Sequence, residues 1–414
     1  MIKEYSRRII SCGSPQHHCA SVVCFNGYTY IAFYKGRECH DEQRVVIQQY
    51  NAAFNLVSEI ELEEKTGNPV LFATKSAVYI IYSKFTDSYE DGNLIPGLQN
   101  PSVERWKYCR NYISVVFSVC SLDTVCTEEI PGTYGRLARI SPFTVPDHFK
   151  TSGRENITHL IGFYREKDPV CEVWGRDPSA KTVGGSIVFL DRFCEMTEAM
   201  KTSKWNMSNL GVGVGIQPSF CIINNRLYAF CRNVARVAGD DRRAWLCASR
   251  GTSFDEWTDP VESCFPSHNN SLALFKADGL NWAIFSTDSQ RSDMFLYNLE
   301  YGDSIDLRCP GFLTRQSYSY PNVYVDDRSS KVHIVHTNCG LIAWHCFDFD
   351  YLRSCIKQLS RPPKPGGTFQ ALSKKFSGDD LDDNIAKRLA KASSERSKDI
   401  LGDVWQSPAY WRQV

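Results

Sequence analysis

The sequence predicts an all-β chain: a six-bladed β-propeller over residues 1–360, followed by a helical or extended tail over residues 361–414. Three observations carry this. Compact runs rich in Tyr, Ile, Val and Phe recur at 28–34, 78–83, 159–164, 226–232, 281–287 and 332–337. Their starts lie roughly 50 residues apart, with two longer gaps, which suits four-stranded blades. Hairpin signals precede several of them, at Asn26-Gly27, Asn225, Asp278-Gly279 and Asp326-Asp327. Asn, Asp and Gly tolerate the left-handed backbone that a tight turn requires. The stretch 216–257 then lays out a whole blade: two strands around Asn224-Asn225, a polar loop, a third strand, and a small-residue turn closing on Trp257. Paired β-sandwiches also make many short strands, but regular spacing along the whole chain favours the propeller.

Composition narrows the function classes. The 414 residues include 43% hydrophobic and 13% aromatic side chains, enough for a large core packed between sheets. Lys plus Arg and Asp plus Glu both number 47, so no global field draws nucleic acid or an anionic membrane, and neither is expected as a partner. The 17 cysteines are odd in number and scattered through strand-like runs, as at Cys24, Cys120, Cys221, Cys231, Cys247 and Cys346. With no C-x-x-C pair among them, a zinc ribbon or thioredoxin-type motif is excluded, and no metal or cofactor is implied. The opening MIKEYSRRII lacks the apolar core of a signal peptide, and no run approaches membrane-spanning length. Synthesis in a reducing cytoplasm is the expectation.

The chain in order places the candidates. A polar loop holding His17 and His18 leads into a strand over 20–25, which returns over 28–34 to Gly36-Arg37-Glu38. In a propeller, first-strand starts and the loops after second strands crowd one mouth of the channel. His17, His18, Arg37, Glu38, His40, Asp41 and Arg44 would gather there, a mixture suited to an acidic or polyhydroxyl ligand. An ordinary charged surface loop is the plain alternative. Asn68-Pro69-Val70-Leu71-Phe72 opens the second blade, and 86–112 reads as a long loop. Strands follow at 113–120, 159–164 and 187–190, the last after a Gly184-Gly185 turn, while 132–150 carries little pattern. Glycines at 211, 213 and 215 lack the dinucleotide-binding spacing. Beyond the central hairpin come His268-Asn269-Asn270-Ser271, the strands around Asp278-Gly279, and Ser317-Tyr-Ser-Tyr-Pro321. Tyr318 and Tyr320 share parity, so a regular strand would point both to one face, at the channel or in the core.

Six phrases in this order, HHCASVV, GRE, NPVLF, IQPSF…CRN, HNNSLAL and SYSYPNV, cover residues 13 to 350. The chain thereby resembles the sialidase-like BNR-repeat family, often described as predicted neuraminidases. The resemblance implies a six-bladed propeller that holds a carboxylated sugar on an arginine cluster. It also implies a tyrosine nucleophile helped by a glutamate, with an aspartate as acid and base. Carried onto this sequence, Tyr318, Asp41 and Glu38 are the catalytic candidates. His18, Arg37, Arg232, Gln217 and Tyr320 are the substrate-binding ones. Two departures stand out. Gln217 occupies the place of the nucleophile's carboxylate partner, and an amide cannot take the proton of a phenol whose pKa is near 10. The turn from Ser249 to Trp257 keeps the Ser, a Gly and the Trp of the repeat box but displaces its Asp.

Residues 361–367, RPPKPGG, read as a linker, and 379–401 as an amphipathic helix with Leu381, Ile385 and Leu389 on one stripe. Trp405, Tyr410 and Trp411 follow. Residues 368–414 are therefore expected to attach the propeller to a protein partner or to neighbouring copies. Two readings of function result. One is a propeller acting on or binding an acidic glycan. The other is a non-catalytic, glycan-binding or structural component of a larger assembly such as a virus particle, held by its tail.

Overall fold

In the computed structural model the described residues are 5–11, 16–38, 40–74, 77–85, 89–90, 93–94, 105–117, 123–130, 133–135, 137–144, 146, 157–164, 186–191, 205–209, 215–223, 226–233, 243–249, 257–258, 261–266, 271–286, 291–308 and 317–356. The linker and tail over 361–414 lie outside them, as do Asn224-Asn225, His268-Asn269-Asn270, Gly184-Gly185 and Cys120.

Six four-stranded antiparallel sheets make up the propeller. β1 (Tyr5–Ser11) is set aside for the last blade. The first blade is β2 (His17–Phe25), β3 (Tyr28–Lys35), β4 (Arg44–Tyr50) and β5 (Leu56–Glu64). The second has β6 (Thr66–Ala73) and β7 (Val78–Phe85), then, after a small ribbon β8 (Tyr89–Glu90) and β9 (Asn93–Leu94), β10 (Cys109–Phe117) and β11 (Asp123–Glu129). β12 (Phe143–Thr144), β13 (Ile157–Phe163), β14 (Ser186–Asp191) and β15 (Trp205–Asn209) form the third. The fourth comprises β16 (Gly215–Ile223), β17 (Arg226–Asn233), β18 (Arg243–Ala248) and β19 (Val261–Pro266). In the fifth stand β20 (Ala273–Ala277), β21 (Leu280–Phe285), β22 (Phe295–Asn298) and β23 (Ser304–Asp306). β24 (Tyr318–Asp326), β25 (Lys331–Asn338) and β26 (Leu341–Asp348) complete the count, followed by helix α1 (Phe349–Cys355).

The six periodic runs of the sequence are the second strands of the six blades, β3, β7, β13, β17, β21 and β25. They read as unbroken apolar runs because both faces of an inner strand are covered by neighbouring blades. Seven of the eight residues of β7 are buried, whereas outer strand β5 alternates between exposed and half-buried residues. The Asn26-Gly27 and Asp278-Gly279 turns have positive φ at both residues, 49° and 79°, then 52° and 77°, as a two-residue hairpin requires. The Asp326-Asp327 signal resolves into a longer loop, with Ser330 left-handed at 55° and Asp326 Oδ1 accepting the Arg328 N–H at 3.1 Å. Ser249 and Trp257 pair as an isolated bridge.

Ring closure comes from the N-terminal strand. β1 adds to the outer edge of the last sheet, with Tyr5 opposite Phe347 and Arg8 opposite Trp344. Three sequence expectations change here. His17 and His18 belong to β2 rather than to a loop. The long loop over 86–112 contains the β8–β9 ribbon and a 3-10 turn, Arg105–Tyr108, before β10 begins at Cys109. The weakly patterned 132–150 holds β12, the first strand of the third blade. Among the described residues no helix is long and apolar enough to cross a membrane.

Blades three and four meet at Gly162. A Cβ there would strike the Pro218 ring and lie 3.1 Å from the Pro218 carbonyl and 3.3 Å from the Phe220 ring. Gly162→Ala is expected to cost about 1–3 kcal/mol by overpacking, seen as a lower thermal midpoint. An unchanged midpoint would show that the blades can separate at no cost.

Candidate functional site

Four inner strands begin with the same device. Between His18 and Ser21, Gly67 and Val70, Ile216 and Ser219, and Ser319 and Asn322, the inner strand carries one residue more than its partner, a β-bulge. Each bulge holds a left-handed residue: Cys19 at 54°, Asn68 at 50°, Gln217 at 56° and Tyr320 at 53°. Ala20, Pro69, Pro218 and Pro321 follow them. Proline fits because it has no N–H to leave unpaired where the ladder is interrupted. Left-handed backbone at a non-glycine costs about 1–3 kcal/mol, and such strain clusters at functional sites.

Three of these side chains converge on Arg139. Its guanidinium lies over the Tyr320 ring, 4.5 Å from the centroid, and 5.9 Å from that of Trp106. Arg139 Nε donates to Tyr164 Oη at 3.0 Å, Nη1 contacts Cys19 Sγ, and Nη2 lies 3.7 Å from Glu38 Oε1. Gln217 Nε2 donates to the same Tyr164 oxygen at 3.3 Å, while its Oε1 accepts from Arg232 Nη1 at 3.5 Å. Arg291 covers the other side of Tyr320, 5.3 Å from its centroid. Three guanidinium groups are thus linked through Tyr320, Tyr164 and Gln217. The Leu137–Tyr164 bridge positions Tyr164 and the segment carrying Arg139, and Asn322 Nδ2 donates to the Arg139 carbonyl at 3.3 Å. Trp106 Nε1 holds Glu38 Oε1 at 3.2 Å, and Trp106 packs on Gly67, where a Cβ would lie 3.0 Å from its ring.

The electrostatics follow from burial. The Arg139 side chain is 2% exposed. Burial pulls its pKa down, but Cys19, Tyr164, Tyr320 and Tyr34 outweigh this and hold it well above the ordinary arginine value. His18 stands edge-on to Tyr34 and Tyr320, with centroids 5.7 and 4.7 Å away. Burial first, then Arg139 and Arg291, push its pKa down to about 3, so it is neutral at ordinary pH. Tyr34 is pushed well above its usual pKa, by burial first and then by Cys19 and Glu38. Its hydroxyl and both amide atoms of Asn68 are buried with no hydrogen-bond partner among the described residues. Buried polar groups normally find partners.

Of the residues expected at the mouth, His18, Glu38, Arg232, Gln217 and Tyr320 belong to this cluster. Arg37 and Asp41 are exposed on the turn between β3 and β4, and Arg44 pairs with Glu64 at 2.5 Å within its own sheet. Tyr318 is placed elsewhere: it is fully buried in the apolar core of the last two blades, its ring 5.6 Å from that of His336. Tyr318 and Tyr320 do not share a face, because the bulge at Tyr320 turns its side chain into the cluster. Arg139, Arg291, Tyr164, Tyr34, Trp106, Cys19 and Asn68 were not singled out for the site from sequence. The repeated pair of a polar residue and Pro at inner-strand starts is the signal that finds Asn68 and, with Ala, Cys19.

A cavity of about 1850 Å³ opens at the other end of the inner strands, lined by Cys24, Phe25, Phe275 and Tyr324 among others. None of the expected site residues lines it. Its charges, Arg8, Lys276, Arg328 and Lys331 against Asp278, Asp326 and Asp327, nearly balance. The arginine–tyrosine cluster is the better candidate because three arginines stand there against one carboxylate, Glu38.

No family model and no curated protein matches the chain by sequence. Solved structures do match. The Trypanosoma rangeli sialidase with the inhibitor DANA aligns at 9% identity and TM-score 0.52, over 82% of this chain and 56% of that one. A Hadza microbial sialidase aligns at 11% and 0.53, over 81% and 66%. The chain has the sialidase β-propeller fold. The T. rangeli sialidase in complex with sialic acid, at 8% identity and TM-score 0.50, covers 84% of this chain and 60% of its own. This propeller therefore spans no more than about two thirds of those sialidases' length.

Proposed function

We propose that the Arg139–Arg232–Arg291 cluster binds the carboxylate of an acidic sugar of the sialic acid class, and that the chain retains this sugar rather than hydrolysing it. The observation that carries the reading is the pair of arginines, Arg139 and Arg291, on the Tyr320 ring, linked through Tyr164 and Gln217 to a third, Arg232. Guanidinium forks match a carboxylate in two parallel hydrogen bonds. The likeness of fold to a sialidase solved with sialic acid supports the ligand class. Retention rests on Gln217: its amide bridges Tyr164 and Arg232 where a carboxylate would be needed to take a phenol's proton.

Calorimetry with sialyllactose and with lactose tests the reading. Binding of the first and not of the second is expected, with no free sialic acid released on long incubation. Equal affinity for both sugars would overturn the carboxylate site, and steady release would overturn retention. Gln217→Glu supplies the missing base and is expected to make any hydrolysis detectable first in that variant.

Attachment through residues 368–414 is a separate proposal, standing on the Leu381, Ile385 and Leu389 stripe and the aromatic end. Truncation after Gly367 is expected to leave the melting temperature unchanged while abolishing association with a partner or with other copies. An unchanged mass together with a lower melting temperature would refute it.

A further inference from the structure

Nine cysteines among the described residues are reduced. Most behave as small hydrophobes. Burial pushes the Cys24 thiol up to about 12 and those of Cys221 and Cys231 higher still, so they stay protonated and inert. Cys19 is placed differently. It occupies the left-handed bulge position of β2, its backbone N–H donates to Thr337 Oγ1 at 3.1 Å, and its sulfur touches the guanidinium of Arg139. A cation against sulfur favours the thiolate, which is the nucleophilic form. Tyr34, which pairs across the hairpin with His18, is 1% exposed, and its hydroxyl has no partner among the described residues. Cys19 and Tyr34 lie in one buried cluster of the first two blades. A buried donor with nothing to bond, beside a sulfur held by a cation, is a prepared place for an oxygen carried on that sulfur.

We infer that Cys19 is an oxidation site at the floor of the glycan site, resting as counter-ion to Arg139 and closing the site when a peroxide converts it to the sulfenic acid. The inference rests on the acidic-sugar reading for its consequence, though not for its chemistry. In the step, the thiolate sulfur attacks one oxygen of hydrogen peroxide. An S–O bond forms, the O–O bond breaks, and the departing hydroxide takes a proton to become water. Sulfur loses two electrons and the peroxide gains them. The added oxygen accepts the Tyr34 hydroxyl and removes the anion that Arg139 holds, so the cluster that would receive a carboxylate is rearranged and its floor is filled.

The full chain is treated with hydrogen peroxide and dimedone, which traps sulfenic acids, and the adducts are located by mass spectrometry. An adduct at Cys19, and none at Cys221, Cys231 or Cys247, is expected. Saturating sialyllactose is expected to slow trapping at Cys19, and peroxide alone to weaken sialyllactose binding at least tenfold, reversibly with dithiothreitol. Binding by Cys19→Ser is expected to be insensitive to peroxide, whatever its starting affinity. No adduct at Cys19 overturns the inference even if the sugar binds. An adduct with unchanged sugar binding overturns the closure. An adduct in a chain that binds no acidic sugar overturns the proposed function and leaves the oxidation site standing.

Discussion

Arg232→Ala is expected to weaken binding of a sialylated sugar by about 2–4 kcal/mol, roughly 30- to 1000-fold. The magnitude follows from burial. Arg232 is 7% exposed and its Nη1 meets Gln217 Oε1 at 3.5 Å, so a carboxylate on this guanidinium would be largely out of water. There a charged hydrogen bond is screened little, and losing it strands the other charge. Arg232→Lys keeps the charge and loses the planar fork, and should recover only part of the loss. Arg291 is more exposed and stacks on Tyr320, so Arg291→Ala should cost less. Calorimetry on variants whose thermal melts match the parent decides the matter. Full affinity in both alanine variants would mean that the carboxylate binds elsewhere.

Acid should open the ring at its closure. In the last blade Tyr5 Oη lies 2.9 Å from His345 Nδ1, His345 Nε2 lies 2.9 Å from His336 Nε2, and His336 Nδ1 lies 3.4 Å from the Thr337 carbonyl. The carbonyl can only accept, so His336 carries its proton on Nδ1. His345 then donates from Nε2 and accepts from Tyr5. Every ring nitrogen is used once when both rings are neutral, and a proton added to His336 Nε2 would set it against the His345 N–H, two donors face to face. His333 is likewise committed, its Nδ1 accepting the Trp344 indole N–H at 3.3 Å. Burial lowers the pKa of both His333 and His336 to about 4, and burial, then His336 and Arg7, put His345 well below the usual histidine value.

The sign follows from linkage. These folded values lie below the unfolded value near 6.5, so the stability tied to neutral burial is complete above pH 6.5 and is lost as pH falls towards 4. At pH 4 that loss is about 3 kcal/mol for each of His333 and His336, from the pKa difference at 1.36 kcal/mol per unit. His18 adds to it in the same direction. Urea unfolding at pH 7, 5.5 and 4.5 should show a steep fall, and His333→Phe should flatten it. Because Tyr5 lies on β1, amide exchange should rise first along Tyr5–Ser11. Equal stability at pH 7 and 4.5 would refute this account.

The resemblance read from the sequence put Tyr318 at the site, whereas the arginine cluster holds Tyr320 of the same strand and Tyr318 lies in the core. Alternation along a strand assigns both residues to one face, and one extra residue in the ladder reverses that assignment. Arg232 and Gln217 were singled out through the resemblance, from IQPS and CRN, and the structure puts them on two strands of one hairpin, Arg232 opposite Ile216 and Gln217 in the bulge beside it. Arg139 and Tyr164 were not. Arg139 precedes the short strand β12, in a segment with little apolar period, and Tyr164 closes the run 159–164, whose pattern marks a strand but no partner. Arg139 meets Cys19 and Tyr320 only because the ring brings blades three, one and six together.

The sequence by itself determined the six blades, the second strand of each, and the two-residue turns at Asn26-Gly27 and Asp278-Gly279. All of these depend on local apolar period and left-handed backbone chemistry, which neighbouring residues encode. Only the tertiary structure decided that β1 closes the last blade, that the bulges bring Cys19, Gln217 and Tyr320 into one cluster, and that Arg139, rather than a charge from the first loop, lies beneath Tyr320. Those facts join positions more than a hundred residues apart, and no local pattern records which distant side chains a closed ring will bring into contact.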